Sequence, residues 1–116
     1  MKINYAIFYT ENLERITHFY ENILGLELFS FKEEKFVSFK LGNGLFGIKK
    51  KVEEREIPGY QSVIISVENI QELYNSYQKK DLIWYKRLTN QEWGVNFAIL
   101  DPDGNKFEIV QEKKSE

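Results

Sequence analysis

The chain carries one histidine, His18, and no cysteine. Thiolate zinc sites, disulfides and cysteine nucleophiles are therefore excluded. His18 sits beside Phe19 in a stretch with helical apolar spacing, and no nucleophile–base pair is legible around it. Chemistry is left to carboxylates, tyrosines and serines. Glu108 stands out among the carboxylates because it alternates with Phe107 and Ile109. In a strand, that alternation turns the carboxylate to the face opposite the apolar pair. An isolated carboxylate in an apolar cavity is a general-base candidate, so Glu108 is the catalytic residue if there is one. The run Lys49, Lys50, Lys51 is followed at once by Glu53, Glu54 and Glu56. It reads as a solvated hairpin end and not as a phosphate-binding patch.

At 116 residues and 42% hydrophobic content, the chain suits one compact core and hence a single domain. Sixteen basic residues nearly balance 18 acidic ones, leaving a net charge of −2. No global field would draw the chain onto nucleic acid or an anionic membrane. The N-terminal MKINYAIFYT lacks the continuous apolar run of a signal peptide or membrane span, which makes a cytoplasmic location the default. An aromatic share of 16% exceeds what a small core usually needs and points to a pocket or a dimer surface.

These residues are positioned by elements that occur twice. Residues 3–9 alternate as a strand, and Asn12 to Leu24 has helical spacing with Asn12 as N-cap and Gly25 as stop. Strands 26–31, 35–41 and 45–49 follow, separated by the charged turn Lys32–Glu34 and by Gly42-Asn43-Gly44. After a charged linker over 52–59 the order recurs: strand 61–67, helix 69–80, then strands 82–87, 94–100 and 106–111. Module one is thus about 1–51 and module two about 60–112. Thr10-Glu11-Asn12-Leu13 matches Val67-Glu68-Asn69-Ile70 at an offset of 57, placing Tyr5 on Ser62. Aligning Gly44 with Gly104, an offset of 60, places Ile48 on Glu108. Two copies are too few for a solenoid, and the fold class is α+β with mostly antiparallel strands.

Two segments resemble the vicinal-oxygen-chelate superfamily, which includes glyoxalase I, extradiol dioxygenases and bleomycin-resistance proteins. One is the opening helix ending in Phe19-Tyr20-Glu21-Asn22-Ile23-Leu24-Gly25-Leu26. The other is Asp101-Pro102-Asp103-Gly104-Asn105-Lys106-Phe107-Glu108-Ile109. The resemblance implies two βαβββ modules forming a curled, eight-stranded open barrel, with helices outside and a cavity inside. It also implies four cavity positions that hold a divalent metal in the family's enzymes, carried over here as Tyr5, Ile48, Ser62 and Glu108. Only Glu108 is a good ligand type, and His18 and Glu92 do not complete the set. No metal and no other cofactor is expected.

What remains is a cavity with aromatic walls, lined by Tyr5, Tyr9, Ile48, Ser62, Ile64, Trp93 and Glu108, with Ser66 and Val110 beside them. The favoured expectation is a metal-free binder of a small aromatic or amphipathic molecule, similar to the bleomycin-resistance proteins and working as a homodimer. The alternative is a lyase, isomerase or dioxygenase-type enzyme, using Glu108 as base or a weakly held divalent metal. A third reading is an interaction module whose cavity is filled by its own side chains.

Overall fold

Each half of the chain meets the same problem, a sheet with one apolar face that needs a cover, and solves it with one helical segment. The structure, a computed structural model, describes residues 1–113, so the last three residues of the expected domain lie outside the described residues. The described residues divide into two compact units: residues 1–61 together with 102–105, and residues 62–101 together with 106–113.

In the first unit, β1 (Tyr5–Thr10) leads to α1 (Leu13–His18), a π-helical turn (Phe19–Ile23), and then β2 (Glu27–Lys32), β3 (Phe36–Leu41) and β4 (Gly44–Lys50). The strands are ordered β1-β4-β3-β2, with β1 parallel to β4 and the rest antiparallel. The Asn12 side chain caps α1 by accepting from the Arg15 amide at 3.1 Å. The helix does not run on to Leu24 in α form. Thr17 Oγ1 donates to the Leu13 carbonyl at 2.7 Å, and Leu24 closes a five-residue hydrogen bond to Phe19. Gly25, at φ 78°, then turns the chain into β2. The covered sheet face holds Phe8, Phe46, Phe39, Val37 and Ile48 under Ile16, Phe19 and Tyr20, all of them buried. Phe8 meets Phe46 edge-on at 4.8 Å, and Tyr20 meets Phe46 at 5.1 Å.

The second unit repeats this topology. β5 (Ser62–Ser66), α2 (Ile70–Gln78), β6 (Ile83–Gln91), β7 (Gly94–Leu100) and β8 (Lys106–Glu112) form a sheet ordered β5-β8-β7-β6. β5 pairs parallel with β8, and the other pairs are antiparallel. Asn69 caps α2 at the Glu72 amide, as the spacing predicts, and Glu72 returns to the Asn69 side chain rather than to its backbone. Tyr74, Tyr77 and Trp84 pack around Phe97 at ring separations of 5.2, 5.7 and 5.8 Å. Burial pushes the Tyr77 phenol up to about 12, so it stays neutral. Much of the aromatic excess is therefore spent on these two helix–sheet cores. The expected eight strands are all present and form two four-stranded mixed sheets.

Pro102–Asn105, the Pro-Asp-Gly-Asn part of the turn, is built into the first unit. Asn105 is fully buried; its carbonyl oxygen accepts from the amides of Gly59 at 2.8 Å and Gln61 at 3.3 Å, and its amide donates to the Tyr9 carbonyl at 2.9 Å. Asp103 accepts from Thr10 Oγ1 at 2.5 Å, from the Glu11 amide at 3.3 Å and from Arg15 Nη2 at 3.0 Å. Backbone groups at the end of β1 and in the connector, with no ladder partner, are satisfied by these two side chains. Gly59 is required there: at φ 95°, an added Cβ would lie 2.8 Å from the Asp103 carbonyl oxygen.

The lysine run is not uniformly solvated. Lys49 pairs with Glu56, a buried carboxylate that also accepts from the amides of Val52 and Glu53, each at 2.9 Å. The Glu53 amide first, then Lys49 and the Val52 amide, pull the Glu56 carboxyl down from 4.5 to about 2. A lowered folded-state pKa adds stability that is present above 4.5 and lost as pH falls through about 2. Glu56→Gln is therefore expected to lower the urea midpoint at pH 7. The gap between variant and wild type should close progressively between about 4.5 and 2. A gap independent of pH across that range would contradict the assignment.

Candidate functional site

Residues paired across adjacent strands share a face, so the register decides which side chains are available outside each core. In the first unit, Tyr5, Ile7 and Tyr9 pair with Leu45, Gly47 and Lys49, while Phe8 pairs with Ile48. Ile48 also pairs with Val37 and is fully buried, so it belongs to the helix-covered face and not to the ligand-facing set expected for it. The error is one residue. Ile7 pairs with Gly47 as Ile64 pairs with Glu108, so the counterpart of Glu108 is Gly47, at an offset of 61 and not 60. Along a strand, that slip exchanges the faces.

Gly47 cannot contribute a donor, and its surroundings are apolar. A Cβ there would lie 2.5 Å from Phe36 Cζ and 2.9 Å from Ile7 Cδ1. Tyr5, half-buried, meets the Phe36 ring edge-on at 5.4 Å. Tyr9 shares this open face and is also half-buried. The first unit thus offers an aromatic wall with the ring of Phe36 over the place where a ligating side chain would start.

The second unit offers a charged centre. Ser62, Ile64 and Ser66 pair with Lys106, Glu108 and Val110, and these pair in turn with Leu100, Ala98 and Asn96. The Glu108 side chain is 16% exposed; Lys106 Nζ approaches its Oε1 at 3.6 Å, and Asn96 Nδ2 lies 3.5 Å from its Oε2. Asn96 Oδ1 accepts from Gln91 Nε2 at 3.4 Å. Lys106 Nζ also stands 4.8 Å from the centre of the Tyr85 ring. Glu108 is therefore not the isolated carboxylate that the general-base reading needs. Trp93 lies in the turn between β6 and β7, 47% exposed, with its carbonyl accepting from the Lys113 amide at 2.9 Å.

Lys106, Asn96, Gln91 and Tyr85 are the residues that sequence reasoning missed. Lys106 was detectable, since it stands two residues before Glu108 and alternation places it on the same face. Asn96 was detectable as an amide within the buried run of β7, where a polar side chain needs a partner. The Tyr85–Lys106 contact spans non-adjacent strands and has no local signal.

The residues do not fit the family's chelated metal. Of the positions the resemblance implies, Tyr5 and, by register, Gly47 lie in the first unit and Ser62 and Glu108 in the second; only Glu108 is a carboxylate, and an ammonium and an amide already engage it. Among the described residues, no three His, Cys, Asp or Glu side chains come together as a metal-binding group. His18 lies exposed at the end of α1, and Glu92 lies exposed in the β6–β7 turn. No described helix is long and apolar enough to cross a membrane.

Surface depressions occur elsewhere within the units. One of about 510 Å³ is rimmed by Glu11, Glu14, Glu33, Glu34 and Lys50, and one of about 690 Å³ lies between the start of α2 and the β6–β7 hairpin. Neither includes Tyr5, Tyr9, Ser62, Ile64, Trp93 or Glu108.

Comparison with known proteins agrees with this duplicated architecture. The chain is similar in structure to an antibiotic-binding protein, TnmS3 from Streptomyces sp. CB03234 (TM-score 0.82, 14% identity, 97% of each chain covered). It is also similar to the bleomycin-binding protein of Streptomyces verticillus, solved with copper(II)-bleomycin (0.81, 17% identity, 97% of this chain and 98% of that one). A lactoylglutathione lyase from Agrobacterium tumefaciens aligns as well (0.79, 18% identity, 95% of this chain and 92% of that one). At these identities the likeness shows the fold. No curated protein sequence matches the chain. The family description "Glyoxalase/Bleomycin resistance protein/Dioxygenase superfamily" matches residues 2–109. With nearly its whole length matched, this chain belongs to the glyoxalase/bleomycin resistance protein/dioxygenase superfamily.

Proposed function

We propose that this protein binds a small aromatic or amphipathic molecule, without a chelated metal, on the open face of the β5-β8-β7-β6 sheet. The observation that carries the reading is the placement of Glu108. It is a mostly buried carboxylate held by Lys106 and Asn96, on a face where Ile64 is 63% and Tyr85 60% exposed. A few fixed polar groups among apolar surfaces are what orient a small ligand. Ser62 and Ser66, exposed on β5, supply further hydroxyls, and Trp93 supplies an indole at the hairpin end. The fold shared with the antibiotic-binding TnmS3 and the bleomycin-binding protein of Streptomyces verticillus supports the same class of activity here.

The test is a titration with 2-naphthol, an uncharged flat alcohol, followed by backbone amide NMR. Shifts should concentrate at residues 62–66, 96–98 and 106–110. Glu108→Ala should weaken binding about tenfold, as loss of a hydrogen bond to a charged group does. Shifts confined to other surfaces, or an unchanged affinity in a folded Glu108→Ala variant, would contradict the proposal.

Self-association into a homodimer belongs to the same reading. The edge strand β2 leaves Leu28 37%, Phe29 52% and Phe31 47% exposed, an apolar strip with open backbone groups. Sedimentation velocity at tens of micromolar should show a dimer, and Phe31→Lys should shift it toward monomer. A wild-type chain sedimenting only as a monomer at that concentration would remove the dimer from the account.

A further inference from the structure

We infer that the Lys106–Glu108 pair selects a zwitterionic aromatic ligand of the α-amino-acid type over cationic or anionic aromatics. The inference rests on the reading of this sheet face as the ligand surface. It begins from the charge balance at the centre of that face. Lys106 Nζ and Glu108 Oε1 are 3.6 Å apart, and the two side chains are 31% and 16% exposed, so each is partly withdrawn from water and each compensates the other. A ligand carrying only a positive charge has to draw Glu108 away from Lys106, and one carrying only a negative charge has to draw Lys106 away from Glu108. Either leaves a half-buried charge without its partner, which costs more than the new contact returns.

A zwitterion avoids that cost. In an α-amino acid the ammonium nitrogen and the carboxylate oxygens are about 3 Å apart, close to the spacing of the protein pair. Its ammonium can donate to Glu108 while its carboxylate accepts from Lys106, giving an alternating four-charge ring in which no group is left uncompensated. The flanks select for an aromatic side chain. Ile64 pairs directly with Glu108 on one side, and Tyr85 lies on the other beneath Lys106, with its ring centre 4.8 Å from Nζ. Asn96, bonded to both Glu108 and Gln91, restricts the carboxylate to an orientation facing Lys106. The chain's net charge of −2 adds little long-range preference for a cation, so discrimination falls to this local pair.

Three indoles of matched size test the inference: L-tryptophan as zwitterion, tryptamine as cation and indole-3-propionate as anion, each titrated by amide NMR at residues 64, 98 and 108. Wild type should bind tryptophan about fivefold more tightly than either of the others, the worth of one partly exposed ion pair. Lys106→Met, which keeps the apolar stem over Tyr85, should shift the preference to tryptamine, and Glu108→Gln should shift it to indole-3-propionate. Tryptamine binding most tightly to wild type, or a ligand order unmoved by both substitutions, would overturn the inference. If 2-naphthol perturbs this face and none of the indoles does, the charge-pair inference fails and the binding surface stands. If neither does, the surface itself is wrong.

Discussion

The two-residue period of the β-strand governs this molecule. A strand side chain belongs to the helix-covered face or to the open one, and pairing across the sheet extends that choice to the neighbours. Phe8 with Ile48 and Val37, and Phe107 with Val63 and Ile99, therefore become core together. Ile7 with Gly47 and Ser38, and Ile64 with Glu108 and Ala98, fall together on the face turned away from the helix. A ligand can be met only by the exposed members of the second set, such as Ile64.

The same constraint explains what was legible in the sequence and what was not. Apolar periodicity, the capping residues Asn12 and Asn69, and the glycine and proline turns placed both helical segments and all eight strands within a few residues. The faces of Tyr5, Ser62 and Glu108 followed from alternation alone. Ile48 did not, because its position was inferred by aligning glycines of two loops that differ in length, Gly42-Asn43 in one and Asp101-Pro102-Asp103-Gly104-Asn105 in the other. A one-residue slip in that alignment, an offset of 60 where the pairing gives 61, reverses the face. The charge partner of Glu108 was within reach of the same alternation rule, whereas the contact of Lys106 with Tyr85 depends on a side chain reaching past β7.

The Asp-Pro-Asp-Gly-Asn segment shows how a motif that identifies a family can have a structural role. Its two acceptor side chains satisfy amides at Glu11, Gly59 and Gln61, and Asn105 also binds the Tyr9 carbonyl. Leaving a buried backbone group of this kind unpaired costs about 1–3 kcal/mol, a large share of the margin by which a small domain is stable. These bonds give Asp103 and Asn105 a structural role, and Glu108, three residues beyond Asn105, lies on the face opposite Phe107 and Ile109.

As proposed, the open face of the second sheet serves a small molecule without a chelated metal. Gly47 supplies no side-chain donor, and the Glu108 carboxylate is already engaged by Lys106 at 3.6 Å. The most direct measurement is calorimetric titration of untagged protein with Zn²⁺, Ni²⁺ and Mn²⁺ near neutral pH. The account predicts no stoichiometric site for any of them. One ion bound per chain and lost in Glu108→Ala would contradict it.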